Sequence, residues 1–142
     1  MPVFNRVAKM VAKPLPRVLS PKAHAVVDYV RIGMYLAGAG WYWKRSKRAA
    51  TAALLCATAE TALDLLTDYD GRSGKLFSFN VHREIDLGLA TMAAMMPEFL
   101  AFEDHAAKNM FLAQGALSTA ALELTRIPGG RDRNRSLRRR VA

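Results

Sequence analysis

Apolar residues fall into four long segments that are separated by short polar or basic stretches. The segments cover about residues 20–43, 49–69, 81–97 and 106–126. Ser20 suits the N-cap of the first segment and Pro21 its first helical position. No run of alternating β-branched and aromatic residues indicates a strand. The pattern therefore predicts an all-α chain of four helices.

The two halves of the chain share a pattern. HAVVD (His24 to Asp28) and HREID (His82 to Asp86) each place a histidine and an aspartate one helical turn apart, so a sequence offset of 58 aligns them. An offset of 59 aligns LEL at 122–124 with LDL at 63–65. These offsets predict two repeated helical hairpins, at about residues 20–70 and 78–127, with one residue gained between the matches.

The surroundings of these helices can be lipid or water. The longest uncharged stretches are shorter than the roughly 20 residues of a membrane span, which leaves a soluble four-helix bundle open. Each segment reaches about that length once one or two ionisable groups near its end are included. Stretches such as AATAALLCATA show no polar stripe, and small residues on all faces suit packing in lipid. We therefore predict a four-helix transmembrane bundle.

The charge of +9 is concentrated at the two ends of the chain. With four spans, the tails and the central loop share one side and carry fifteen Lys and Arg residues, against five on the opposite side. This bias predicts an inner-membrane protein with both termini in the cytoplasm. Residues 1–19 are expected to form a basic interfacial segment, and residues 128–142 a disordered basic tail on anionic lipid headgroups.

A soluble basic bundle that binds nucleic acid is the alternative that the charge leaves open. The arginine-rich tail RDRNRSLRRR lacks the aromatic residues that stack on bases, so nucleic acid is the less favoured partner.

Ionisable residues within the apolar segments fall at one end of the predicted bundle, because successive helices run in opposite directions. This predicted cluster has eight members: His24, Asp28, Arg31, Glu60, Asp64, His82, Asp86 and Glu123. Ionisable groups in a membrane usually pair with one another. The first interpretation is a structural network in which Arg31, Arg83 and Arg126 neutralise the carboxylates.

A metal- or haem-binding redox accessory is the alternative for the same residues. The candidate metal ligands are His24, Asp28, Glu60, His82, Asp86 and Glu123, which resemble the ligands of di-metal carboxylate bundles. The Glu-x-x-His spacing is missing and the arginines oppose a cation, so no metal or other cofactor is assigned. A haem between His24 and His82 stays open. No nucleophile has a His–Asp partner nearby, so no enzyme is expected.

Trp41, Tyr42 and Trp43 precede the basic stretch KRSKR and are expected to anchor the first hairpin at the membrane interface. Cys56, the single cysteine, lies in an alanine-rich run and is expected to be a small buried residue.

SPKAHAVVDY, LLTDYDGRSG and NVHREID resemble segments of small bacterial membrane proteins related to the SPW-repeat family, over about residues 20–127. The resemblance implies two repeats, four spans and a Leu-Thr-Asp-Tyr stretch that closes the first repeat, here residues 66–69. The chain has AGW at 39–41 and MPE at 96–98 where Ser-Pro-Trp is expected. The group brings no reaction with it. The residues themselves predict a non-enzymatic membrane component, with the bilayer and a protein partner or second copy as expected partners.

Overall fold

The computed structural model of the protein describes residues 16–127. Its four helices are α1 (Pro21–Tyr42), α2 (Lys47–Leu66), α3 (Phe79–Phe99) and α4 (His105–Leu124). α1 packs along α2 and α3 along α4, while α1 also contacts α4 and α2 contacts α3. The helices thus form a four-membered ring, and the all-α prediction is confirmed. Residues 1–15 and 128–142, which include most of the two predicted basic ends, lie outside the described residues.

Each helix begins at a side-chain cap. The capping residues of α1 to α4 are Ser20, Ser46, Ser78 and Asp104, and each accepts a hydrogen bond from a backbone amide of the first turn. The caps of α1 and α3 are related by the same sequence offset as the two histidines, and so are the caps of α2 and α4. A single offset therefore relates the two hairpins. The offset of 59, with its gained residue, brings no pair of caps into register.

Two short parallel pairings join the hairpins at one end of the bundle. β1 (Thr67–Asp68) pairs with β2 (Phe77–Ser78), so that Thr67 lies opposite Phe77. Leu19 forms the corresponding bridge with Thr125, and the offset that relates the caps also relates Leu19 to Phe77 and Thr67 to Thr125. Thr67 takes part in this pairing, so α2 ends at Leu66 and not near Tyr69, where the sequence predicted its end.

The half of the bundle away from these pairings is filled by apolar side chains. Phe111 lies between Tyr35 and Phe102, with ring centroids 5.7 Å and 5.2 Å away. Small residues of α2 surround these rings and let the helices approach closely. Cys56 is among them and is buried, as expected.

One of the three predicted interface anchors belongs instead to this core. Trp41 and Trp43 are 69% and 47% exposed, whereas Tyr42 is only 6% exposed. Tyr42 follows Tyr35 by seven residues, two helical turns, and therefore lies on the same inward-facing stripe of α1. The prediction for Tyr42 is wrong for this reason, and the prediction for the two tryptophans stays a prediction.

Gly115 allows α4 to approach α3. A Cβ at this position would lie 2.8 Å from the Ala90 carbonyl oxygen and 3.0 Å from the Cβ of Ala94. Gly115→Ala is expected to lower the free energy of unfolding by about 1–3 kcal/mol, because the backbone of α3 must move away. Thermal unfolding followed by circular dichroism measures the change.

Gly88→Ala is the matched control for this substitution. A Cβ at Gly88, which also lies inside a helix, would have no neighbour within 4 Å. Alanine is favoured over glycine in a helix by roughly 0.5–1 kcal/mol, so the control is expected to be neutral or stabilising. Equal effects of the two substitutions would contradict the close approach at Gly115.

Candidate functional site

Seven ionisable side chains are buried together between the helices, at the end where the hairpins are joined. This buried cluster consists of His24, Asp28, Arg31, Glu60, Asp64, His82 and Asp86, none of which is more than 4% exposed. The structure thus brings together seven of the eight residues of the predicted cluster. α1, α2 and α3 each contribute at least two of them.

Arg31 lies at the centre of the buried cluster. Its Nη1 donates to Oδ1 of Asp28 at 3.1 Å and to Oδ1 of Asp86 at 3.3 Å, and its Nη2 donates to Glu60. These charge-assisted hydrogen bonds join α1 to both α2 and α3. Arg31 is ten residues from the start of α1, about 15 Å along the helix. The cluster therefore reaches the middle of the bundle, further than its predicted position at one end.

Two threonines hold the rings of the two histidines. Thr125 Oγ1 lies 2.9 Å from Nδ1 of His24, and Thr67 Oγ1 lies 3.0 Å from Nδ1 of His82. Each hydroxyl also donates, at 2.6 Å, to a carbonyl in the last turn of the preceding helix. Because a hydroxyl has one proton, it must accept from the imidazole. Nδ1 of each histidine therefore carries hydrogen, and Nε2 faces the interior of the cluster.

The two Nε2 atoms converge on two aspartates. His24 Nε2 lies 3.3 Å from Oδ2 of Asp28 and 3.6 Å from Oδ2 of Asp86, and His82 Nε2 lies 3.4 Å from Oδ2 of Asp28. Both Nε2 atoms and Asp28 Oδ2 lack a hydrogen bond of acceptable geometry to any described residue. Unprotonated Nε2 lone pairs would repel these oxygens. A hydrogen, on a ring nitrogen or on a carboxyl oxygen, or a metal ion is therefore expected between them.

The charges of the buried cluster point to the same need. Four carboxyl groups face one guanidinium, so the cluster would have an excess of three negative charges if all four were ionised and both imidazoles were neutral. Uncompensated charge is costly in a protein interior. Two overlapping triplets of the cluster place their ligand atoms within 4.8 Å of one another, which is close enough for a metal ion: His24, His82 and Asp86, and Asp28, Asp64 and His82.

Several polar partners of the cluster were not predicted from the sequence. Ser118 Oγ donates to Oδ2 of Asp86 at 3.0 Å, and the two threonines orient the histidines. The offset that aligns the histidines also aligns Ser118 with Glu60 and Thr125 with Thr67. It would therefore have identified these positions if it had been applied along the whole chain.

Tyr69 is a further partner that was missed. Its hydroxyl donates to Oδ1 of Asp64 at 2.7 Å. Burial, together with this carboxylate, raises the pKa of Tyr69 above its usual range, so the hydroxyl keeps its proton and remains a donor. The sequence offered no signal for this contact, because Tyr69 lies in the turn that follows α2.

Glu123 is exposed and lies outside the buried cluster, so its predicted membership is wrong. It follows Ser118 by five residues, a rotation of about 140° around the helix axis at 3.6 residues per turn. Its side chain therefore points away from the interior, into a surface depression that Arg83 also lines. Closeness to the end of α4 was not sufficient to predict an inward direction.

The predicted neutralisation by three arginines is also wrong. Arg83 donates to the Leu122 carbonyl at 3.3 Å, and Arg126 donates to the Arg17 carbonyl at 2.9 Å. Both side chains satisfy backbone oxygens at the joined end of the bundle. Arg31 is the one arginine among residues 16–127 that contacts the carboxylates of the cluster.

The packing leaves no place for a haem between His24 and His82. The ring centroids of these histidines are 5.5 Å apart, and Oδ2 of Asp28 lies within 3.4 Å of both Nε2 atoms. A carboxylate thus occupies the space through which a porphyrin plane would have to pass. The alternative of a haem between these two histidines is therefore wrong for this arrangement of side chains.

A surface pocket lies beside the cluster at the joined end. It has a volume of about 270 Å³ and is lined by residues 68–71, Lys75 and residues 78–80. Phe79, in its wall, stacks on His82 at a centroid distance of 5.7 Å and meets the edge of His24 at 5.5 Å. Tyr69, which also lines the pocket, has its ring 5.3 Å from that of His82, so the rings of Phe79 and Tyr69 separate the solvent-facing pocket from the histidines.

Comparisons of the chain with protein-family models, with curated proteins and with solved structures returned no match. The geometry of the buried cluster is therefore the basis for assigning a function.

Arg31→Met tests the central role of this arginine. The substitution leaves the carboxylates of Asp28, Glu60 and Asp86 buried without their cation, and is expected to cost about 3–5 kcal/mol of stability. Chemical or thermal unfolding measures the loss.

Arg45→Met is the matched control, because Arg45 forms a single ion pair with Asp104 at 2.9 Å and is half exposed. Removing such a pair is expected to change stability by no more than about 1 kcal/mol. If Arg31→Met were no more damaging than Arg45→Met, the buried cluster would not be held together by Arg31.

Proposed function

We propose that the chain is a non-enzymatic integral protein of the bacterial inner membrane, whose four helices span the bilayer around the buried cluster. The observation that carries this proposal is that the charged side chains of the cluster lie inside the bundle, whereas large apolar side chains lie on its outer surface. Large apolar side chains at least half exposed occur on all four helices: Val26, Val30, Leu36, Leu55, Leu65, Leu87, Met95 and Leu112. An apolar surface of this extent is costly in water and is typical of contact with lipid or a partner.

The composition of the helices agrees with this proposal in part. Within residues 16–127, α2 has both the length and the apolar composition to cross a membrane. α1 and α3 are less apolar partly because they carry Asp28, Arg31 and Asp86. These side chains lie in the buried cluster, paired with one another and away from the outer surface, as ionisable groups within a bilayer generally do.

The orientation of the bundle is part of the same proposal. The excess of Lys and Arg in the tails and the central loop supports cytoplasmic termini, which would put the joined end, with the buried cluster beneath it, toward the cytoplasm. The likeness to the SPW-repeat group is also proposed here. It is supported by the two hairpins, whose caps, bridges and histidines recur at one constant sequence offset.

Fractionation of expressed protein tests membrane insertion. The protein is expected to stay in the membrane pellet after an alkaline carbonate wash and to be released by detergent, because only peripheral proteins are washed away. Appearance in the soluble fraction would overturn the proposal. Salt-sensitive DNA binding by such soluble protein would instead support the basic nucleic-acid-binding alternative.

Leu55→Lys distinguishes lipid from water around the helices. Leu55 is 60% exposed on the outer face of α2. In a bilayer, a lysine near the middle of a span costs roughly 2.5–3.5 kcal/mol on the insertion scale, so the amount of membrane-inserted protein is expected to fall sharply. On a water-facing surface the same change would stay within about 0.5 kcal/mol.

Leu76→Lys is the control for this experiment. Leu76 is 71% exposed, in the loop that precedes β2, where a lysine can reach water in either environment. Quantitative immunoblotting of washed membranes compares the two variants. Equal yields would contradict lipid contact at Leu55.

A further inference from the structure

We propose that the buried cluster binds one divalent first-row transition-metal ion, with Zn²⁺ as the best fit, through His24 Nε2, His82 Nε2, Asp28 Oδ2 and Asp86 Oδ2. The inference concerns the interior of the bundle, so it holds whether the outer surface faces lipid or water. Each hairpin supplies one histidine and one aspartate from equivalent positions.

Three of the four separations between a histidine Nε2 and an aspartate Oδ2 are close to those of a tetrahedral zinc site. Zinc binds histidine nitrogen and carboxylate oxygen at about 2.0–2.1 Å, which separates neighbouring ligands of a tetrahedron by about 3.3–3.4 Å. Three of the four separations between an Nε2 and an Oδ2 atom are 3.3 Å, 3.4 Å and 3.6 Å, whereas His82 and Asp86 are not within ion-pairing distance of each other. A metal ion bound by all four atoms would therefore bring His82 and Asp86 closer together.

The surroundings prepare each of these atoms as a ligand. The threonines fix Nδ1 of both histidines as donors, which leaves the Nε2 lone pair for a metal ion. Metal-bound histidines usually donate their other ring hydrogen in this way. Nε2 of both histidines is unpartnered although the residues are no more than 1% exposed.

Arg31 and Ser118 complete the same arrangement around the aspartates. Arg31 Nη1 donates hydrogen bonds to Oδ1 of both Asp28 and Asp86, and this orients both Oδ2 atoms toward the histidines. Ser118 uses one lone pair of Asp86 Oδ2 and leaves the other available. The ligand set of two imidazoles and two carboxylates suits zinc and its neighbours among the divalent metals.

The charge of the site favours a divalent ion. With all four carboxyl groups ionised and both imidazoles neutral, the cluster would have an excess of three negative charges, and one divalent ion would reduce this excess to one. The cationic Arg31 binds the Oδ1 atoms of Asp28 and Asp86, so it lies on the side of these carboxylates that is away from the proposed metal position. Movement of Phe79 and Tyr69 would open a route to the site from the surface pocket, because these rings separate the pocket from the histidines.

Two protonated imidazoles would reduce the negative charge by the same amount without any metal. This arrangement is the competing outcome of the test, since it predicts a folded cluster that does not take up zinc.

The test uses the full-length protein, purified, treated with a chelator and then titrated with ZnCl₂ by calorimetry. One equivalent is expected to bind, with a higher unfolding temperature in the presence of zinc. Replacement of zinc by Co²⁺ is expected to give the visible absorption of a tetrahedral site. A folded wild-type protein that binds no zinc and gives no such spectrum would overturn the proposal in favour of protonated histidines.

Variants assign the ligands. His24→Gln and His82→Gln are each expected to weaken zinc binding by at least 100-fold, whereas His105→Gln is expected to have no effect. His105 is the third histidine of the chain and is exposed at the start of α4, so it serves as the matched control. Unchanged binding in His24→Gln or His82→Gln, or loss of binding in His105→Gln, would overturn the assignment.

Thr125→Val tests the positioning role of the threonines. It removes the hydroxyl beside His24 Nδ1 and is expected to weaken zinc binding by 10–100-fold, the usual effect of losing such a partner. The Co²⁺ spectrum is expected to keep its tetrahedral form, because all four ligands remain. Unchanged affinity would contradict the positioning role. Zinc binding by protein that proved soluble would keep this proposal while overturning the membrane proposal.

Discussion

A guanidinium that is fully enclosed between helices is stable only where carboxylates surround it, and this constraint organises the molecule. Arg31 binds Asp28 on its own helix, Glu60 on α2 and Asp86 on α3, so one side chain fixes the relative positions of three helices. The two aspartates then present their remaining oxygens to the histidines. The apolar half of the bundle has no comparable network of charged hydrogen bonds among the described residues.

The two hairpins are equivalent at the histidines and aspartates but differ at the arginine. In the second hairpin, the position equivalent to Arg31 is Leu89, and the position equivalent to Glu60 is Ser118. The ion pair of Arg31 and Glu60 in the first hairpin is thus replaced by a leucine and a serine in the second. Ser118 donates to Asp86, whose other oxygen accepts from Arg31. The second hairpin therefore contributes no arginine to the buried cluster, and the pair of histidines lies where the two hairpins meet.

Periodicity and caps were sufficient to predict the helices, because Ser20 and the apolar segments specify them locally. Seven cluster residues were predictable because alternating helix directions bring them to one end. Direction around the helix was not considered, which explains the errors at Glu123 and Tyr42: the first turns outward and the second inward. Contacts made by turns, such as that of Tyr69 with Asp64, depend on the three-dimensional path of the chain and have no local signature.

We propose that the outer faces of all four helices meet lipid while the charges are enclosed. Spin labels at one outward position on each helix (Val30, Leu55, Leu87 and Leu117) test it most directly in protein reconstituted into bilayers. Power-saturation electron paramagnetic resonance measures collisions of each label with oxygen, which concentrates in lipid, and with a water-soluble nickel complex. High oxygen accessibility and low nickel accessibility are expected at all four positions. High nickel accessibility at these positions would show that the helices face water and would overturn the membrane proposal.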